Sequence, residues 1–242
     1  MPLNHDSSFL TTSLVSWAET FRSFFVFLKS PDYRSTSLPH QGKLKIMFRL
    51  LILDAIVGLS TAFLLDYLIH CHVLPDPGKH IAEDLNGIFY GFFFPVLLAP
   101  VFEETIFRLP LRKVRGSIYL IFISVIVAIF SFVMWQIAIP VSVVFFIAMK
   151  YTLKQRTTLV FRKWKENYGI LFYYVTLIFG LVHLSNFSNW HSVAYIGFLY
   201  VLSQIFGGLV LGYTRIKLGF WYAVSLHALF NGAAISIRFL FD

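Results

Sequence analysis

The chain has few charged residues and one cysteine. Charged residues make up 13% of its 242 residues and hydrophobic residues 57%, whereas a soluble domain usually carries about 25% and about 45–50%. Too little polar surface is available to cover a soluble globule. This excludes an ordinary cytosolic enzyme, a disordered chain and a nucleic-acid-binding module, although the pI is about 9.6. Basic inner loops of a membrane protein produce the same pI.

Several protease and metal-site motifs are also missing. The single cysteine, Cys71, cannot form an internal disulfide, and no Cys/His spacing typical of a zinc site is present. There is no HExxH motif of a zinc protease, no GxGD motif of an aspartyl protease, and no serine in a GxSx turn. These absences disfavour three common types of intramembrane protease.

Long apolar runs predict an all-α fold, a polytopic transmembrane helix bundle of about seven spans, within a range of about six to eight. The predicted spans are residues 46–69, 87–107, 117–134, 138–151, 168–184, 193–213 and 219–240. The third and fourth come from one apolar stretch, which is also compatible with one long tilted helix and an interfacial piece. The pair Gly208 and Gly212 predicts close helix packing.

The first 45 residues are predicted to be a cytoplasmic segment preceding a transmembrane domain at 46–242. Residues 8–28 carry an apolar stripe at helical spacing, with Glu19 and Arg22 off the stripe. We therefore expect an interfacial amphipathic helix that lies on the membrane. The residues of the stripe are Leu14, Trp17, Phe21, Phe24, Phe25 and Leu28.

The distribution of basic residues predicts the orientation in the membrane. With the N-terminus inside, all but two of the 20 Lys and Arg residues fall on inner segments, the exceptions being Lys79 and Arg238. This is the bias that the positive-inside rule describes. We expect an integral, multi-pass protein with a cytoplasmic N-terminus, whose basic loop 150–165 contacts anionic headgroups of the lipid bilayer.

Polar residues within the predicted spans need a partner or a function, because a charge in hydrocarbon costs at least ~2.5–3.5 kcal/mol. Glu104 and Arg108 are four residues apart and should form an ion pair on one helix face. Glu103 points about 100° away and is free to face a cavity, as a general base would. Other spans supply Phe179 and His183, with the phenylalanine one turn below the imidazole, and His227 and Asn231, which share a helix face.

Each group also has a structural explanation. The carboxylates can surface at the cytoplasmic boundary, and a histidine or an asparagine can join helices by hydrogen bonds. For Asp54, in the first span, a structural partner is the expectation. Glu103, Glu104, His183 and His227 are in addition plausible ligands for catalytic zinc.

In their order along the chain, Glu103-Glu104-xxx-Arg108, Phe179-xxx-His183 and His227-xxx-Asn231 resemble the motifs of the CAAX proteases and bacteriocin-processing enzymes (CPBP), also called the Abi or type II CAAX prenyl endopeptidase family. The resemblance covers roughly residues 89–240, with all signature positions filled. The 80 residues from Glu103 to His183 exceed the usual family spacing. We interpret the excess as an inserted helix pair with its basic loop.

The resemblance implies hydrolysis of peptides or proteins in the membrane by a glutamic-type protease that uses no metal or other cofactor, in the inner membrane of a prokaryotic cell. Glu103 would activate water, His183 would help to hold it, and His227 and Asn231 would donate to the oxyanion. Glu104, Arg108 and Phe179 would support these groups. Alternatives are a zinc-dependent variant, a non-catalytic scaffold or immunity protein of the family, and a proton-coupled transporter.

These roles require the polar groups to converge on one cavity, since atoms more than about 10 Å apart cannot share one water. The spans as predicted separate Glu103 and His183 by roughly 20 Å. We therefore expect the second helix to continue to about Arg115 and the fifth to about Trp190.

Overall fold

The computed structural model describes residues 16–80, 89–132, 135–155 and 157–241. These ranges are built of helices and contain no β-strand, so the all-α class is confirmed. The α-helices are α1 (Trp17–Lys29), α2 (His40–His70), α3 (Ala99–Arg108), α4 (Val114–Phe132), α5 (Trp135–Gln155), α6 (Thr157–Glu166), α7 (Tyr168–Val182), α8 (Trp190–Val193), α9 (Gly197–Tyr200), α10 (Leu202–Lys217) and α11 (Phe220–Phe241). A π-helix (Phe89–Leu98) precedes α3, and 3₁₀-helices lie at His183–Asn186 and Ala194–Ile196.

Among the described residues, three helices are long and apolar enough to cross a membrane: His40–His70, Tyr168–Asn186 and Phe220–Ile237. A fourth is counted if the pair Trp190–Tyr200 and Leu202–Lys217, bent by 49°, forms one broken span. The π-helix and α3 together cover the predicted second span. The described residues of 117–151 lie in two helices, α4 and α5, as first predicted. The rings of Phe122 and Phe145 stack 5.4 Å apart, which one long helix would not allow.

Helix α1 begins with a capping box. Ser16 Oγ accepts from the backbone N–H of Glu19 at 3.2 Å, and the backbone N–H of Ser16 donates to the Glu19 carboxylate at 2.6 Å. The helix packs on the bundle through Phe24 and Phe27, whose rings contact Tyr213 with centroids 5.4 and 5.2 Å apart. The amphipathic helix is therefore confirmed for its described part.

The buried face of α1 differs in part from the predicted stripe. Trp17 and Phe25 are about half exposed, while Phe27 is 4% exposed, because α1 lies against α2 and α10. Leu14 lies outside the described residues. The location of α1 at the membrane surface remains a prediction.

Helices α7 and α10 approach closely at glycines. A Cβ on Gly212 would lie 2.7 Å from the ring of Phe172, and one on Gly208 would lie 3.1 Å from the ring of Phe179. Side chains at these positions would push the helices apart. The close packing predicted for the two glycines is confirmed, and it fixes Phe179 at the centre of the bundle.

The expected helix extensions are wrong. Helix α3 ends at Arg108, because the chain turns at Pro110, which has no N–H to continue a helix. Arg108 and Leu111 are fully buried, whereas Arg112 and Lys113 of the same turn are exposed. Helix α7 ends at Val182, and its 3₁₀ continuation reaches only Asn186.

On the side predicted to face outward, residues 75–80, here called the outer strap, pair with the chain that follows the 3₁₀ turn of His183–Asn186. The N–H of Ser188 donates to the Lys79 carbonyl at 2.9 Å, and that of Asn189 to the Pro77 carbonyl at 3.0 Å. Gly78 adopts φ +79° within the strap. The outer strap thus holds the loop that leaves α7.

Helices α4 and α5, here called the lateral hairpin, pack on each other through stacked rings of Phe122 and Phe145, 5.4 Å apart. Their apolar side chains are otherwise widely exposed, for example Val144 at 67%. Trp164 of α6 donates through Nε1 to Ser117 Oγ at 2.8 Å and ties α6 to the hairpin.

Candidate active site

Three helices bring one carboxylate and two imidazoles together. Glu103 Oε2, from α3, lies 3.7 Å from Nε2 of His183, which follows α7, and 3.7 Å from Nε2 of His227, on α11. Both distances are far below the 10 Å limit. They exceed hydrogen-bond length, and Glu103 Oε2 is buried with no hydrogen-bond partner. The three groups therefore share one space while leaving this carboxylate oxygen open.

The end of α7 orients His183. In an α-helix the Phe179 carbonyl would accept the backbone N–H of residue 183. Here it accepts instead from the His183 side chain, with Nδ1 at 2.7 Å, while the backbone N–H of His183 turns to Gly180 in a 3₁₀ bond. A ring nitrogen that donates to a carbonyl carries the proton, so the neutral ring presents an unprotonated Nε2 towards Glu103.

His227 is oriented by the second carboxylate. Its Nδ1 donates to Glu104 Oε1 at 3.3 Å, and the imidazole is 7% exposed. Because Nδ1 is held by Glu104, Nε2 points to Glu103 Oε2. The two imidazoles are thus fixed by different acceptors, and both present Nε2 to the same carboxylate oxygen.

The predicted ion pair of Glu104 and Arg108 is present and completely buried. Arg108 Nε lies 3.7 Å from Glu104 Oε1, and both side chains are 0% exposed. The guanidinium stacks on the Phe179 ring, with Cζ 4.1 Å from the centroid. A buried charge needs such compensation because desolvation is costly, and Arg108 therefore lies inside the bundle although the charge pattern groups it with an inner loop.

Phe179 forms an apolar wall below both imidazoles. Its ring centroid lies 4.8 Å from that of His183 and 6.0 Å from that of His227. The predicted packing of Phe179 against His183 is therefore found, and the same ring also contacts His227 and Arg108. These contacts restrict the rotamers of the polar groups around Glu103.

Asn231 lies one helical turn beyond His227 and has a different partner. Its Nδ2 donates to the backbone carbonyl of Pro95 in the π-helix at 2.8 Å. One of its two N–H groups is used in this bond, and the other remains available for a second acceptor. Sequence reasoning selects Asn231 but does not identify the carbonyl that holds it, because the two residues are 136 positions apart.

Asp54 does not join this cluster. It is 3% exposed, and its Oδ1 has no hydrogen-bond partner. The carboxylate faces α10 at Gly207, where a Cβ would lie 3.5 Å from either oxygen. Among the described residues, Oδ1 therefore lacks the structural partner that was expected for Asp54, and the residue it faces has no side chain.

Within the part of the chain that the structure describes, no group of three or more His, Cys, Asp and Glu side chains is arranged to hold a metal ion. Glu104, one of the plausible zinc ligands, already faces the guanidinium of Arg108 and the Nδ1 of His227. Three of the four plausible ligands, Glu103, His183 and His227, are nonetheless neighbours.

Comparison with known proteins assigns the family. Residues 85–233 match the model of the type II CAAX prenyl endopeptidase Rce1-like family. The match covers more than half of the chain and includes every residue of the candidate site, from Pro95 to Asn231. Searches of curated proteins and of solved structures found no match. The family implies CAAX-type intramembrane protease activity on peptide or protein substrates, and the apolar helices agree with an integral membrane protein. The chain therefore belongs to the Rce1-like family of type II CAAX prenyl endopeptidases.

Proposed function

We propose that this protein is an intramembrane endopeptidase of the glutamic type, in which Glu103 activates the attacking water. The observation that supports this is the equal separation of 3.7 Å from Glu103 Oε2 to Nε2 of both His183 and His227. A water hydrogen-bonded to Glu103 and to the unprotonated Nε2 of His183 donates both hydrogens, so its lone pair faces the substrate carbonyl.

The reaction begins with proton transfer. Glu103 takes one proton from the water as its oxygen bonds to the carbonyl carbon, and the carbonyl oxygen becomes an oxyanion. The protonated Glu103 then gives that proton to the amide nitrogen, the C–N bond breaks, and a carboxyl group and an amine are released. A positioned general base or acid typically contributes about 10²–10⁴ in rate.

His227 and Asn231 stabilise the oxyanion. His227 donates through Nε2 in its doubly protonated form, whose charge Glu104 balances through Nδ1. With Glu103, Glu104, Arg108 and His227 charged, the buried cluster has no net charge, which lowers its cost in an apolar environment. Asn231 donates the N–H that Pro95 does not use. Each donor of this kind is worth about 10²–10³ in kcat.

We propose that this chemistry needs no metal ion, since Glu104 is already engaged by Arg108 and His227. Activity should persist in EDTA and in 1,10-phenanthroline. Activity that is lost in the chelator and restored by zinc would assign the zinc-dependent type, with Glu103, His183 and His227 as ligands.

The principal test is the Glu103→Gln variant. The membrane peptidome of cells that carry the wild type is compared with that of cells that carry E103Q, and the purified proteins are assayed with a quenched, farnesylated CAAX peptide in liposomes. We expect E103Q to lose at least about 10²-fold in rate, while Glu166→Gln, an exposed carboxylate on α6, retains full activity. Full activity of E103Q would overturn the proposal. A cellular phenotype that survives E103Q would point to a scaffold role.

We further propose a prokaryotic inner-membrane location, with residues 1–45 as a cytoplasmic segment before the protease domain at 46–242. Cys71 is exposed at the end of α2 and is the only cysteine in the sequence. A membrane-impermeant maleimide should label it in intact spheroplasts, and Cys71→Ala should abolish the label. Labelling only after permeabilisation would contradict this orientation.

A further inference from the structure

The π-helix before α3 is built around prolines. Pro95 lies within it, and Pro100 is the second residue of α3 and is buried. A proline ring clashes with the carbonyl of residue i−4 in an α-helix. A wider helix with i+5 hydrogen bonding accommodates that ring, and π segments of this kind are frequent at functional sites.

The second proline removes a hydrogen-bond donor. In a π-helix the carbonyl of residue 95 would accept the N–H of residue 100, and residue 100 is a proline without an N–H. The Pro95 carbonyl instead accepts Nδ2 of Asn231 from α11 at 2.8 Å. The side chain of α11 thus supplies the donor that the π-helix lacks.

A contact next to Asn231 shows how close α11 comes to the π-helix whose missing backbone donor the Asn231 side chain replaces. Gly232 follows Asn231, and a Cβ at Gly232 would lie 3.6 Å from Val96 Cγ1. Val96 is 9% exposed. The α11 backbone beside the Asn231 amide therefore lies within van der Waals reach of the π-helix.

We propose that Pro100 is a positioning residue for catalysis: by leaving the Pro95 carbonyl without its π-helical donor, it reserves that carbonyl for Asn231 and so aims the second Asn231 N–H at the oxyanion. The inference rests on the proposed function, since it assigns Asn231 to the oxyanion. Pro100 itself does not touch the reacting atoms.

The variant Pro100→Ala restores a backbone N–H that competes for the Pro95 carbonyl. Alanine also favours the helix more than proline does, so this variant is not expected to unfold. Pro140→Ala is the matched control, because Pro140 lies inside α5, which packs on α4 and α6, and gains the same N–H on a different helix.

Kinetics on the quenched, farnesylated CAAX peptide separate positioning from a general effect. We expect Asn231→Ala to lower kcat about 10²-fold, P100A to lower kcat about tenfold with KM unchanged, and P140A to match the wild type. Because P100A acts through Asn231, the double variant P100A/N231A should be no slower than N231A. Wild-type kcat in P100A, or losses that multiply in the double variant, would overturn the inference.

A second measurement does not depend on activity. The sequence contains six asparagines, and selective ¹⁵N labelling in nanodiscs resolves their side-chain amides, that of Asn231 being assigned by its loss in Asn231→Asp. We expect the Asn231 amide signals to shift in P100A and to stay unchanged in P140A. Unchanged signals in P100A would refute the role of Pro100, whereas a shift together with full activity of E103Q would refute only the proposed function.

Discussion

The bundle around α3, α7 and α11 and the lateral hairpin of α4 and α5 are both apolar, but they differ in their polar groups. In the bundle, Glu104 and Arg108 have no exposed surface. The imidazoles of His183 and His227, beside Glu103, are each held by a hydrogen bond and packed against Phe179. In the lateral hairpin, Ser124 Oγ donates to the Leu120 carbonyl of its own helix, and Ser117, near the start of α4, bonds to Pro110 and Trp164. The apolar side chains there, such as Val144, are exposed.

The two regions differ in what they require of their residues. Buried charges cost free energy unless they are paired, so their presence in the bundle points to function. An apolar helix that faces lipid requires only hydrophobicity, and many sequences satisfy it. The hairpin lies between Glu103 and His183 in the sequence, and none of the site contacts described above involves it.

The largest effect on stability is expected when one member of the buried ion pair is neutralised, which tests the contrast between the bundle and the exposed regions directly. Glu104→Gln leaves the Arg108 guanidinium buried without its counter-charge, and we expect a loss of about 3–5 kcal/mol in the free energy of unfolding. Unfolding in mixed micelles with increasing SDS measures it.

The matched control is an exposed carboxylate on α6. Glu166 Oε1 lies 3.8 Å from Arg162 Nε, and Glu166 Oε2 lies 3.3 Å from Lys163 Nζ. Glu166→Gln should cost less than about 1 kcal/mol, because solvent screens the pair. Equal losses of unfolding free energy in Glu104→Gln and Glu166→Gln would show that the buried ion pair stabilises the protein no more than the exposed one.

A smaller effect is expected from the packing of α7. A Cβ on Gly180 would meet the Ile205 side chain and lie 3.2 Å from its backbone nitrogen. Gly180→Ala should therefore destabilise the bundle by about 1–3 kcal/mol, measured in the same SDS titration.

Gly169, on the same helix, provides the comparison. A Cβ there would meet only Pro31, at 3.7 Å, so Gly169→Ala should be neutral or stabilise by up to about 1 kcal/mol. Destabilisation by both variants would mean that helix α7 tolerates no added methyl group, whatever its neighbours.

The smallest effect is expected in the lateral hairpin. Val144 is 67% exposed, so Val144→Ala removes little packing within the protein and should change the unfolding free energy by less than about 0.5 kcal/mol, with activity unchanged. A loss of activity in this variant would show that the hairpin contacts the substrate.

Local features of the site are predictable from sequence because they depend on helical spacing. Glu104 pairs with Arg108, and Phe179 packs on His183, because residues four apart share a face. The apolar runs likewise locate α2, α7 and α11 within a few residues. Four-residue spacing and apolar runs are therefore sufficient to predict these contacts and these helices.

Tertiary features are not predictable in this way. Glu104 holds His227 from 123 residues away, and no local pattern indicates it. Helix α3 ends at Arg108, close to the end at residue 107 that the apolar runs predict. The continuation to Arg115, which was expected only to bring Glu103 and His183 together, is wrong because the chain turns at Pro110. The π-helix is also not predictable from local sequence, because its Pro95 carbonyl accepts a hydrogen bond from Asn231 of α11.

The outer strap makes the position of one imidazole dependent on a residue more than a hundred positions earlier. At Gly78, any side chain would adopt a left-handed backbone conformation and collide with Ser188. The displaced loop begins directly after the 3₁₀ turn that carries His183. Substitutions at Gly78 should thus have the same phenotype as substitutions of His183, although the two residues lie in different parts of the chain.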